Sequence, residues 1–137
     1  MKNNGKITAA NIFIIVVCFS ACLSLFEEHK EAKNLKIDPI NFSTIPDGTY
    51  RGEYSGGINK WRANTVTVAV KSGRVIQIKL ITSAEFKPDD ARYAALIKRI
   101  IDAQSLHVDA ISGATLTTNA HIKAIEIALK GKMKSVK

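Results

Sequence analysis

Residues 65–81, TVTVAVKSGRVIQIKLI, decide the fold. Thr65 to Val70 alternates threonines with Val or Ala, and Val75 to Ile81 places Ile76, Ile78 and Leu80 opposite Gln77 and Lys79. A period of two is that of a strand with one face buried. Ser72-Gly73 between the runs is a two-residue hairpin loop, so the pair is antiparallel. Lys71, Arg74 and Lys79 read as a solvated face and loop. Upstream, Thr49 to Tyr54 sets Tyr50, Gly52 and Tyr54 against Arg51 and Glu53, a further short strand. Its central Gly52 lets another group approach the backbone closely. Ser55-Gly56-Gly57 is the flexible exit.

Two helical stretches come next. Pro88-Asp89-Asp90 is a start signal, after which Tyr93, Leu96, Ile97, Ile100 and Ile101 fall at helical spacing with Arg92, Lys98, Arg99 and Asp102 on the other side. Such a stripe is core. The second helix is expected to begin near Thr117-Thr118-Asn119, to present Ile122, Ile125, Ala128 and Leu129, and to end at Gly131. No internal repeat is evident. The order predicts an α+β fold, a small antiparallel sheet with two packed helices, preceded by an N-terminal membrane-targeting segment.

That segment emerges from the charge map. The chain has 137 residues, 20 Lys+Arg and 12 Asp+Glu, a net charge of +8. Residues 1–47 hold five basic and five acidic side chains, so the whole surplus lies beyond them. Lys2 and Lys6 precede Ile7 to Phe26, which carries no charge and just spans a bilayer; Glu27, Glu28 and Glu31 come directly after it. The positive end stays inside and the rest faces outward. Phe19-Ser20-Ala21-Cys22 resembles the lipobox of bacterial lipoproteins, with Phe19 in place of the usual Leu, and the reading favours lipidation of Cys22 over an uncleaved anchor helix. Cys18 and Cys22 are the only cysteines, which excludes a disulfide scaffold and a cysteine zinc site downstream. The expected organisation is a signal or anchor over 1–26, a linker over 27–46 without sustained period, a domain over 47–131, and a basic tail over 132–137. Asn41-Phe42-Ser43 fits a glycosylation acceptor only as three residues do by chance.

The chemistry lies between the helices. Residues 108–118, VDAISGATLTT, are rich in small and hydroxyl-bearing side chains and lead into a helix N-terminus. Free N–H groups and the positive end of the helix dipole there favour a phosphate. Gly113 and Ala114 let the backbone come close, and Ser112, Thr115, Thr117 and Thr118 offer hydroxyls. An ordinary capped loop is the alternative. The lysine of a Walker loop is missing.

Asp109-Ala110-Ile111-Ser112-Gly113-Ala114-Thr115 resembles the flavinylation motif of the FMN-binding domain family, found in peripheral subunits of the sodium-translocating NADH:quinone reductase and Rnf complexes and in extracytoplasmic flavin lipoproteins. The resemblance covers about residues 47–130, including Asp47-Gly48-Thr49-Tyr50, the hairpin, Ala103-Gln104-Ser105 and the helix from Asn119 to Leu129. It implies FMN joined through its phosphate to the hydroxyl of Thr115, installed by a separate flavin transferase that uses FAD and magnesium. Asp109 would then serve recognition or fix the loop, and Ser112, Gly113, Ala114, Thr117 and Thr118 would surround the phosphate. Where family members often carry a His- and Glu-rich segment, Thr82-Ser83-Ala84-Glu85-Phe86-Lys87 keeps only Glu85.

The resemblance implies a membrane-tethered, extracytoplasmic electron-transfer flavoprotein, a carrier or redox subunit between a membrane donor and an outside acceptor, not a stand-alone enzyme. A non-covalent flavin-binding or regulatory module is the second reading. Trp61, Tyr50 and Tyr54 are candidates for stacking on the flavin ring, while His107 and His121 read as incidental surface residues. No metal site is expected. A third reading, nucleic-acid binding by the basic domain, is weak, since no recognition motif is present and outward targeting removes the partner. Lys130, Lys132, Lys134 and Lys137 suit a helix C-terminus and tail, leaving a basic surface for anionic headgroups or an acidic redox partner.

Overall fold

In the computed structural model, which describes residues 8–133, three strands form one antiparallel sheet in the order β1-β2-β3: β1 (Gly48–Tyr54), β2 (Asn64–Lys71) and β3 (Arg74–Ser83). Three helices accompany it, α1 (Ala9–Lys33), α2 (Ala91–Ala103) and α3 (Thr115–Met133). The α+β reading holds. Lys2, Lys6 and the tail beyond Met133 lie outside the described residues.

The β2–β3 hairpin turns at Ser72-Gly73, both with positive φ. Its ladder slips twice, between Thr65 and Val66 and between Ala69 and Val70, so Ile76 and Ile81 have no direct partner. Each slip inserts a residue and turns the rest of the strand to the other face. Val75, Ile78 and Leu80 are therefore buried, whereas Ile76 is exposed, contrary to the simple alternation. The Gln104 side chain secures the bulged end: Val75 N–H donates to Oε1 at 2.9 Å, and Nε2 donates to the Val75 carbonyl at 2.8 Å.

Asp90 starts α2 by accepting from the Arg92 N–H at 2.8 Å. The adjacent Arg92 guanidinium, hydrogen-bonded to the same carboxylate, holds Asp90 down at about 2. Tyr93, Leu96 and Ile100 of α2 are buried as expected.

Helix α3 is the centre of the fold. Ile122, Ile125 and Leu129 are buried, and so are His121 and Glu126 on its other sides. It lies so close to β1 that a Cβ on Gly52 would stand 2.0 Å from the Ala124 carbonyl oxygen and 2.6 Å from the Ala128 nitrogen. The close approach read at Gly52 is thus made by a helix backbone. Gly131 does not end α3, which continues to Met133.

Residues 27–46 depart from the expected tether. Helix α1 runs on to Lys33, a 3-10 turn forms at Phe42–Thr44, and Phe42 and Ile45 enter the core. Lys123 donates to the Lys36 carbonyl at 2.8 Å, and Lys130 pairs with Asp38, so the connection runs along α3. Glu126 is satisfied beneath it by Lys123 at 2.8 Å and Lys130 at 2.7 Å. Single buried side chains and carbonyl contacts leave no period for a sequence reading to find.

Candidate functional site

The loop before α3 is a built turn. Ala114 N–H donates to the Ile111 carbonyl at 2.9 Å, and Gly113 takes φ 75°, with open space where a Cβ would be. Helix α3 starts at Thr115, two residues ahead of the expected Thr117-Thr118-Asn119. The reason is local: Thr118 N–H donates to the Ala114 carbonyl at 2.8 Å, while the buried Thr118 hydroxyl accepts from Ile111 N–H at 3.4 Å. Thr118 therefore ties the turn from inside the first helical turn.

The hydroxyls divide by this geometry. Thr118 is fully buried, Thr117 donates to the Glu85 carboxylate, and Ser112 and Thr115 are exposed. Among the described residues, the N–H groups of Thr115, Leu116 and Thr117 have no acceptor, as expected for a first helical turn. Three free donors beside an exposed hydroxyl and a side-chain-free Gly113 match a phosphate in charge and room. Ala114 is buried and takes part through its backbone.

Two contributors come from outside the motif. Arg99 Nη1 donates to the Asp109 carbonyl at 2.8 Å and to the Ala110 carbonyl at 3.2 Å, pinning the loop to α2. The sequence placed Arg99 only on a solvated helix face. Glu85 reaches Thr117 from the β3–α2 connection. Asp109 itself is exposed, and its carboxylate accepts no hydrogen bond among the described residues. The loop is fixed through the Asp109 carbonyl rather than its side chain.

His121 is not an incidental surface residue. It is buried, stacked on Phe86 with ring centroids 5.0 Å apart and set edge-on to Tyr93 at 5.3 Å. Its Nε2 lies 3.3 Å from the Ser83 hydroxyl, and Nδ1 has no partner. Burial lowers its pKa from 6.5 to about 4, so the ring is neutral at pH 7. The same burial raises the Tyr93 phenol. An unfolded His121 takes up its proton first as pH falls, so stability is complete above 6.5 and is lost progressively toward pH 4. At about 1.4 kcal/mol per pKa unit, this removes up to about 3 kcal/mol. Urea unfolding of wild type and His121→Phe across that range checks it; equal pH slopes would clear His121 of the effect. His107 is exposed, as expected.

Of the stacking candidates, Tyr50 belongs to the core and donates its hydroxyl to the Pro46 carbonyl. Tyr54 is half-buried and lines an open groove of about 400 Å³ with Glu53, Asn64 and Ser83. Trp61 stands exposed in the β1–β2 loop. A second groove, of about 420 Å³, joins Leu116, next to Thr115, to Phe26, His29, Lys30, Lys33 and Asn34 of α1 and its end. Among the described residues, no group of three or more His, Cys, Asp or Glu is placed to hold a metal ion.

The sequence profile of the FMN-binding domain matches residues 59–130, more than half of the chain. The chain belongs to the FMN-binding domain family. FMN is accordingly its cofactor, and the chain is a flavoprotein. Within the match lie the whole turn from Asp109 to Thr118 and both outside contributors, Arg99 and Glu85. A crystal structure of the CPE2226 protein from Clostridium perfringens superposes with a TM-score of 0.54 at 23% identity, over 68% of this chain and 93% of that one, which shows a shared fold. No curated protein matches the chain. The family's match starts inside the β1–β2 loop, so α1 lies outside it; α1 is long and apolar enough to cross a membrane, with a mean hydropathy of 2.4 over its most apolar window.

Proposed function

We propose that this FMN-binding protein is a membrane-tethered, extracytoplasmic electron carrier whose FMN is esterified through its phosphate to Thr115. The observation that carries the reading is the exposed Thr115 hydroxyl at the head of α3, beside the free N–H groups of Thr115, Leu116 and Thr117. Those donors and the helix dipole offset the charge left on a phosphodiester. Gly113 keeps side-chain bulk away from it, and Arg99 holds the preceding part of the turn in place. Among the described residues no side chain is hydrogen-bonded to the Thr115 hydroxyl, and it needs no base of its own if a flavin transferase supplies activation, moving FMN from FAD with release of AMP. When bound, FMN supplies one- and two-electron exchange.

Placement rests on α1. Lys2 and Lys6 before the apolar run and Glu27, Glu28 and Glu31 after it favour the domain outside. Leu116 shares a groove with Phe26 and Lys30, which supports a cofactor close to the membrane surface and within reach of a membrane donor. The outside acceptor would meet the basic remainder of the domain.

Intact-mass spectrometry of protein co-expressed with and without a flavin transferase tests this. The expected result is one FMN-sized increment that depends on the transferase and survives denaturation. Flavin released on denaturation would instead establish the non-covalent module, and a colourless protein under co-expression would sink both.

A further inference from the structure

We propose that the β1–β2 loop, residues 55–63, is seated in the headgroup layer of the membrane, with Trp61 as its interfacial anchor and the Glu28–Arg62 ion pair as the latch that holds it there. The proposal rests on the reading of the chain as membrane-tethered, and within it on α1 as an uncleaved span, the alternative to a lipidated Cys22.

Height along α1 carries the argument. The apolar run ends at Phe26. At about 1.5 Å per residue, Glu28 lies about 3 Å further along the axis and Glu31 about 8 Å. Each headgroup layer is about 5–8 Å thick, so both carboxylates stand within it or at its outer edge. The loop is bonded to these two residues. Glu31 accepts from Ile58 N–H at 3.3 Å; Glu28 accepts from Asn59 N–H at 3.0 Å, from Asn59 Nδ2 at 3.3 Å and from Arg62 Nη1 at 3.2 Å. Ile58 is thus tied at the height of Glu31, while Asn59 and Arg62, which bracket Lys60 and Trp61, are both tied to Glu28, nearer the apolar run.

The latch is closed and dry. The Glu28 side chain is 1% exposed and Arg62 8%, and a Cβ at Gly57 would stand only 2.8 Å from the Glu28 carboxylate. Opening it would leave a buried charge without its partner, so the loop cannot swing free cheaply. The outward side of the latched loop suits an interface. Ile58 is 68% exposed, Trp61 42%, and Lys60 is exposed between them. Tryptophan settles where one end of its ring is apolar and the other wet, and lysine carries its charge up to the phosphates.

Trp61 is the only tryptophan, so its emission reports on this loop alone. The full chain is reconstituted into phosphatidylcholine–phosphatidylglycerol vesicles, with ordinary acyl chains or chains brominated near the carbonyl end, and flotation is measured alongside fluorescence. The expected result is flotation with the vesicles, emission lowered about twofold by bromination, and shielding from aqueous iodide. A flexible Gly-Ser segment of about ten residues placed between Phe26 and Glu27 leaves the latch intact but lifts the domain, and should abolish the quenching while flotation persists. Flotation with equal emission in both lipids overturns the proposal and spares the anchor; a chain that fails to float overturns the anchor reading and the proposal with it. Quenching that survives the inserted segment overturns the latch as the cause.

Discussion

Gly52→Ala should cost this protein a large part of its folding stability. The added Cβ would stand 2.0 Å from the Ala124 carbonyl oxygen, 2.6 Å from the Ala128 nitrogen and 2.8 Å from the Ala128 Cβ. Two of these three atoms are helix backbone, so no rotamer change relieves the overlap. Either α3 moves off the sheet or β1 bends away, and Ala124 and Ala128, 0% and 2% exposed, show how little room remains at that contact. Overpacking in a filled core costs about 1–3 kcal/mol when side chains can adjust. With backbone on both sides the loss should reach or exceed the top of that range, against a total of about 5–15 kcal/mol for an ordinary domain. The thermal midpoint should fall by more than about 10 °C. Thermal and urea unfolding measure it, and a midpoint within about 2 °C of wild type would mean that the sheet and helix do not lie as close as described. Ala128→Gly removes only one of the three contacts, so in the double variant it should restore a minor part of the loss.

Gly52 was legible because a glycine inside an alternating strand has few explanations. The features that escaped share another physical character. Period two identifies β2 and β3 but does not say which residue is extra when the ladder slips, so Val75 and Ile76 exchanged faces. Helical spacing identifies the face of α3 that meets the sheet, yet α3 is also covered by irregular chain. The 34–41 connection lies over Glu126, and the β3–α2 connection brings Phe86 onto His121. Burial by a segment without a period leaves no periodic trace in either partner. His121 therefore looked like a surface residue, although it is 1% exposed.

The candidate site was legible in its chain-local part and hidden in the rest. The turn from Asp109 to Thr118 is contiguous, and its composition alone indicates an anion-compatible helix start. Arg99 and Glu85 reach it from 10 and 32 residues away in sequence, and only the fold brings them there. The same holds for the groove that brings Phe26 and Lys30 to Leu116: it exists because α1 continues beyond its apolar run and docks.

Thr115→Ala should abolish the covalent flavin altogether, leaving unmodified mass under full transferase co-expression, while Thr115→Ser should retain it. Four hydroxyls lie in this turn, and the geometry separates them. That of Thr118 is buried and holds the Ile111 N–H; that of Thr117 is engaged by Glu85, whose carboxylate would also repel an incoming phosphate. Ser112 is exposed but lies inside the Ile111–Ala114 turn, three residues ahead of the head of α3. Thr115 alone combines exposure with a place among the free N–H groups of the first helical turn. Being exposed, it should tolerate alanine with little change in stability, within about 0.5 kcal/mol, so lost labelling would not reflect lost folding. Thr117→Val should keep the adduct, since it removes the contact to Glu85 and leaves the acceptor hydroxyl untouched. An FMN-sized adduct on Thr115→Ala would move the linkage to Ser112 or Thr117, which peptide mapping of the modified variant would distinguish.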